Sequence, residues 1–262
     1  MELGLTGRVA IIAASSQGLG KATAYAFAAE RCNVALCARN ATALAEVSAD
    51  LEKKYGIKVV HRALDVTDEK AVKNFVAEVG AHFGRIDICV TNAGGPPAKA
   101  FLELSMEEWR RAVELNLLST VSFCREVIPW MQKQKWGRII TITSSSVKQP
   151  IPDLILSNSI RTGVVGLVKS LSLIYGRDGI LVNNVGPGYT RTDRLKELAA
   201  SRSKAVGGAP EEMYGRWAAD TATGKIAEPE DVASTIVWLA SEQARSITGQ
   251  TVLVENGAYR GL

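Results

Sequence analysis

The chain has 262 residues, 47% hydrophobic and 22% charged, with a formal net charge of +4. That size and balance suit one large globular domain with a substantial core. A charge so near neutral argues against a nucleic-acid partner, and no run of roughly 18 apolar residues offers a membrane span.

Apolar strand-like runs alternate with helical patterns almost to the end of the chain. The first run is Val9–Ala13, followed by small residues and an alanine-rich helix through Phe27. Next come Asn33–Cys37 with a helix over about 41–55, and Lys58–His61 with a helix over about 68–83. Ile86–Val90 precedes one long helix over about 106–131. Arg138–Ile142 leads to a helix over about 157–175. Ile180–Asn184, a helix over about 229–241 and Thr251–Glu255 close the series. Strict alternation with branched apolar strands predicts a single-domain α/β protein, its doubly wound parallel sheet of Rossmann type covered by helices on both faces. The exception is a lid-like insertion at about 192–226, where Gly207-Gly208-Ala209-Pro210 interrupts charged helical stretches; a flexible surface excursion is the plainer alternative.

Several residue types are read as structural. Cys32, Cys37, Cys89 and Cys124 lie in apolar contexts without paired spacing, so buried free thiols in a reducing compartment are expected and no metal is. His61 and His82 have no carboxylate motif beside them. Residues 1–8 do not form a basic-then-apolar leader, and a cytoplasmic location is expected.

The informative positions follow the strands, because ligands of open α/β sheets bind beyond the strands' carboxyl ends. After the first strand, Ala13-Ala14-Ser15-Ser16-Gln17-Gly18-Leu19-Gly20 is a tight turn opening a helix, whose free N–H groups and dipole suit a dinucleotide pyrophosphate. After the second stands Arg39-Asn40; an arginine there complements a 2′-phosphate, whereas an acid would accept from ribose hydroxyls, so NADP(H) is favoured over NAD(H). Asp65-Val66, Asn92-Ala93-Gly94 and Pro187-Gly188-Tyr189-Thr190-Arg191-Thr192 follow the third, fourth and sixth strands.

These segments resemble the short-chain dehydrogenase/reductase family along essentially the whole chain. The first turn is similar to its T-G-x-x-x-G-x-G, with Ala13-Ala14 in place of Thr-Gly. The others resemble its adenine-contacting pair, its N-N-A-G, and its P-G-x-x-x-T, which holds the nicotinamide amide. The resemblance assigns cofactor contacts to Ala14, Ser16, Gln17, Gly18, Leu19, Gly20, Arg39, Asn40, Asp65, Val66, Asn92, Ala93, Gly94, Pro187, Gly188, Thr190 and Thr192. An alanine at position 14 costs little if its φ is negative.

The family's chemistry couples hydride transfer to a tyrosine proton donor, with a lysine four residues on, a serine and an asparagine. Asn116 and Ser144 match the last two. Ser157 stands where the tyrosine belongs and Arg161 where the lysine belongs, one helical turn apart. A phenol starts near pKa 10, and a serine hydroxyl is a far weaker acid. Arg161 can clamp ribose or a polarised oxygen but trades protons poorly. Plainer roles are a helix N-cap for Ser157 and a phosphate or ribose clamp for Arg161. No tyrosine lies near enough to replace the lost one, the nearest being Tyr175 and Tyr189, and Asp153, the one carboxylate near the expected site, is an alternative general base. Three readings follow: a 3-oxoacyl-reductase-like enzyme interconverting a small-molecule ketone and alcohol with an atypical catalytic set, a dinucleotide-binding sensor or structural partner with little turnover, or a different reaction using another group. The resemblance further implies a homo-tetramer or homo-dimer, built on helices beginning near Met106 and Ser157, with Gly163 and Gly166 allowing close approach, and on the segment Val254–Gly257.

Overall fold

Seven short branched runs become strands because each can be covered on both faces. They are β1 (Val9–Ala13), β2 (Asn33–Ala38), β3 (Val59–Ala63), β4 (Ile88–Thr91), β5 (Gly137–Ile142), β6 (Ile180–Pro187) and β7 (Thr251–Val254). The computed structural model describes residues 2–262, the side chains of Ala205 and Val206 apart. All neighbouring strands pair in parallel in the order β3-β2-β1-β4-β5-β6-β7, so the chain reverses its winding between β1 and β4. That switch opens a crevice beyond the carboxyl ends of the strands.

The helices form two outer layers. α1 (Gly18–Ala29), α2 (Ala41–Tyr55) and α9 (Pro229–Ala240) cover one face through Phe27, Leu44, Leu51 and Ile236. On the other face, α3 (Glu69–Phe83), α5 (Ser119–Gln134) and α6 (Ile155–Tyr175) contribute Phe75, Phe123 and Val168. Side chains such as Phe27, Phe75 and Phe123 are essentially sealed from solvent, each worth about 1.5–3 kcal/mol of burial. Asn40 and Asp68 cap α2 and α3 by accepting the Ala43 and Ala71 N–H groups.

The expected long helix over 106–131 is in fact interrupted. α4 (Met106–Val113) passes into a π turn at Glu114–Leu118 before α5 begins. The extra residue in that turn swings Asn116 inward, an adjustment typical of functional positions. α6 starts at Ile155 on an N-cap Leu154, so Ser157 lies within the first turn and is not a cap. Within 192–226 the chain forms α7 (Asp193–Val206) and α8 (Pro210–Ala219), which share a small core of Leu195, Leu198, Met213, Trp217 and Ile226.

The four cysteines are free and buried, and burial pushes the Cys37 and Cys124 thiols up to about 12. His61 Nδ1 lies 3.0 Å from the Ser48 hydroxyl, and the His82 ring packs edge-on to Phe83. Among the described residues no helix is long and apolar enough to cross a membrane, and no group of acidic, cysteine and histidine side chains gathers as a metal site.

Candidate active site

The β1–α1 turn is held by its own backbone. Ser15, fully buried, donates N–H and hydroxyl to the Cys37 carbonyl at 3.1 and 3.3 Å, tying the turn to β2. A side chain at Gly20 would collide with the Ala14 carbonyl oxygen, so this glycine lets helix and turn pack closely. Ala14 has φ +51°, the left-handed region, so the glycine missing there is replaced at a cost of about 1 kcal/mol. The favourable case of a negative φ does not hold. Gln17 at the N-cap of α1 offers no side-chain acceptor and the first turn carries no acid, which leaves its N–H groups free for an anion.

This turn forms one end of a cavity of about 610 Å³ at the topological switch. Ala14, Gln17, Gly18, Leu19, Asn92, Ala93, Gly94, Pro187, Gly188, Thr190 and Thr192 all line it, and so do Ser144, Ser157 and Arg161. Thr192 accepts the Leu195 N–H to start α7, and its methyl packs against Gly18, joining the β6–α7 loop to the β1–α1 turn. Seven of the other expected residues lie outside this lining: Asn116, Gly20, packed beneath the turn, Ser16, half-buried in it, and the four at the ends of β2 and β3. There, Arg39 is exposed and the Asn40 side chain is engaged in its cap. Asp65 accepts from the Thr67 N–H and hydroxyl, which with nearby Arg39 holds its carboxyl below the usual range. Val66 is buried in the core.

Asn116 stands one layer behind the cavity. Its amide donates to the Gly94 carbonyl at 3.0 Å, while its buried Oδ1 has no protein partner. Ser144 caps a short 3₁₀ turn by accepting the Ser146 N–H, and the Ser146 hydroxyl sits 3.4 Å from that of Ser157. Ser157 is 6% exposed and Arg161 7% exposed, so the polar pair of α6 is carried into the interior. Arg161 Nη1 donates to the Ile142 and Thr143 carbonyls at 3.1 and 3.0 Å, fixing the guanidinium at the end of β5. Burial, together with Arg194, pushes its pKa down to about 10, which still leaves it cationic at neutral pH.

Two sequence expectations are corrected here. Asp153 is committed to Arg202, which grips it through Nε at 2.7 Å and Nη2 at 2.6 Å, and it does not line the cavity. A free general base is not available there. Phenols do reach the cavity, but they are Tyr189 and Tyr259; Tyr175 packs instead against the core under α6. Tyr189 stacks on Trp217 at 4.7 Å and accepts from Arg202 at 3.3 Å. Arg194, Tyr259 and Arg260 were not anticipated. Arg194 reaches across to donate to the Pro96 carbonyl at 2.6 Å. The tail is brought in by pairing of β7 with β6 and by the Arg260 N–H donating to Gln149. Nothing local in sequence marks either.

A parallel sheet with this switch point, an uncapped helix N-terminus and a serine–arginine pair facing it define a dinucleotide-dependent oxidoreductase architecture. Residues 13–259 match the family described as enoyl-(acyl carrier protein) reductase, and the chain belongs to the short-chain dehydrogenase/reductase family of enzymes. It is 31% identical over 253 residues to the 3-oxoacyl-(acyl-carrier-protein) reductase of Chlamydia muridarum, covering 97% of this chain and 98% of that protein. Glucose 1-dehydrogenase 2 of Bacillus subtilis is 30% identical over 259 residues, 97% of this chain and 95% of its own. The structure of L-sorbose reductase from Gluconobacter frateurii, complexed with NADPH and L-sorbose, superposes with a TM-score of 0.95 at 31% identity, with all of both chains covered.

Proposed function

We propose that the protein is an NADP(H)-dependent reductase of a small ketone, working with Ser144, Ser157 and Arg161 in place of the family's tyrosine and lysine. The observation that carries this reading is that these three side chains share one cavity with the free N-terminus of α1. The α1 turn would hold the pyrophosphate, with Arg39 beside the 2′-phosphate and Asp65 and Val66 beside the adenosine. Asn92, Ala93, Gly94, Pro187, Gly188, Thr190 and Thr192 would line the nicotinamide end. When bound, the cofactor supplies the hydride.

The protein's own part is to polarise the carbonyl oxygen and deliver a proton. Ser144 donates its hydroxyl to the substrate oxygen, and Arg161 provides a fixed positive charge where the alkoxide develops. Arg161, held by two strand-end carbonyls, keeps its proton and acts as a fixed charge. The adjacent Ser157 and Ser146 hydroxyls then act as a relay to solvent, with Asn116 anchoring water behind Gly94. α7 and α8 serve as the lid, fastened to the β4 loop through Arg194 and to the substrate loop through Arg202 and Asp153. The bare apolar side chains Phe101, Met106, Leu173 and Ile174, just before α4, on α4 and on α6, support a homo-oligomer, and the four free, buried thiols fit a reducing, cytoplasmic location.

A screen of ketones with NADPH, followed by absorbance, should find turnover. Nucleotide binding without turnover on any ketone would leave the silent dinucleotide-binding protein as the better description. Arg39→Asp should raise the NADPH dissociation constant about tenfold and shift preference toward NADH, the scale of one charge-assisted contact.

A further inference from the structure

A buried cation needs a counter-charge, because burial penalises the charge unless a paired anion offsets it. The other deeply buried arginine, Arg138, has one: Glu242 lies 3.8 Å away, and the Arg138 guanidinium stacks 4.2 Å over Trp136. Half-buried Arg202 has Asp153. Arg161 forms no ion pair among the described residues, and the charged group that bears on it is a second cation, Arg194. Of the five N–H bonds of a guanidinium, the Nη1 pair goes to the Ile142 and Thr143 carbonyls; the remaining three find no protein acceptor and stay open to the cavity. Arg194, which pairs with Glu197 at 3.4 Å and donates to the Pro96 carbonyl, and exposed Arg260 also line the cavity. Asp193, on the same lining, is already neutralised by Lys196 at 2.8 Å. A ribose hydroxyl from the cofactor would take one N–H of Arg161 and leave the charge unmatched.

We infer that the substrate brings the missing anion: the cavity takes a carboxylate attached directly to the reacting carbonyl, an α-keto acid in the reducing direction and an α-hydroxy acid in the other. This rests on the reading of the protein as an NADP(H)-dependent reductase. The planar fork of Arg161 matches a planar α-keto carboxylate. The Ser144 and Ser157 hydroxyls meet the carbonyl oxygen, and Ile151, Leu154 and Leu198 offer a wall for a hydrocarbon branch. In the reduction the carbonyl carbon receives a hydride from NADPH and its oxygen a proton from solvent. The carboxylate is unchanged, and NADPH leaves as NADP⁺.

The test uses the full chain with NADPH bound, followed by the fluorescence of the nicotinamide and of Trp217, which stacks on the cavity residue Tyr189. Oxalate, a planar non-reacting dianion, should bind saturably and compete with α-ketoisocaproate. On the NADPH-bound protein, Arg161→Met should weaken oxalate at least about tenfold, the scale of one charge-assisted hydrogen bond. The kcat/KM for α-ketoisocaproate should exceed that for its methyl ester by about a hundredfold, since the ester leaves the buried cation unmatched. NADPH binding with no response to oxalate overturns the anion assignment alone. So does an ester reduced as well as the acid, or an Arg161→Met variant that keeps full oxalate affinity. Failure of NADPH itself to bind overturns the dinucleotide reading, and this assignment with it.

Discussion

The two ends of the sheet treat charge in opposite ways. At the amino ends of the strands, fully buried Asp87 accepts the Val9 N–H, Arg8 and both arms of Arg85, at 2.6–3.1 Å. Arg8 and Arg138 sandwich Trp136, whose indole N–H donates to Glu242 at 2.8 Å. At the carboxyl ends, Arg161 is as deeply buried as Arg138, and burial brings both guanidinium groups down to about 10. The difference lies in the neighbours: Glu242 works against the shift at Arg138, whereas Arg194 adds to it at Arg161. One end spends its charges on its own fold. The other holds a charge in reserve for a ligand, at some cost to stability, as functional sites commonly do.

The largest effect that would break this comparison is at the closed end. Asp87→Ala should cost about 3 kcal/mol by urea denaturation, since it strands the Val9 N–H and breaks a buried ion pair. In the folded fraction NADPH affinity should be unchanged; a large loss of binding would mean that the two ends are not independent. Arg161→Met should do the reverse. Turnover should fall at least about a hundredfold through loss of the oxyanion partner, while the ligand-free protein gains on the order of 1 kcal/mol, read as a higher Tm. A lower Tm would show that the two strand-end carbonyls left without a donor outweigh the relieved cation. The smallest effect belongs to Ala14→Gly, which should stabilise by about 0.5–1 kcal/mol by releasing the positive φ. It should also tighten NADPH by a few-fold, the backbone approach being freed of one methyl. No gain in either measurement would mean that the turn is not strained.

Much of this was legible in the chain before folding. Branched runs such as Val9–Ala13 and glycine-rich steps such as Gly18-Leu19-Gly20 are local signals, because backbone preference and hydrophobic period act over a few residues. They were enough for strand sequence, parallel winding and the crevice at the switch point. Ser157 and Arg161 were equally visible, four residues apart as the resemblance requires of the family's tyrosine and lysine. The interruption at Glu114–Leu118 was not, since a π turn leaves the helical period almost intact. Nor was the conformation of Ala14, which is set by how closely Gly20 and β2 press on the turn.

What composition and period determined, then, was the frame: which segments are strands, which helices cover them and where a ligand must lie. Tertiary structure alone decided the electrostatics of the site. Whether Arg161 is paired depends on Arg194, on Glu242 being at the other end of the sheet, and on Asp153 being held by Arg202, all of them remote in sequence from one another. Backbone preference is read from neighbours along the chain, whereas a charge is satisfied or left open by neighbours in space.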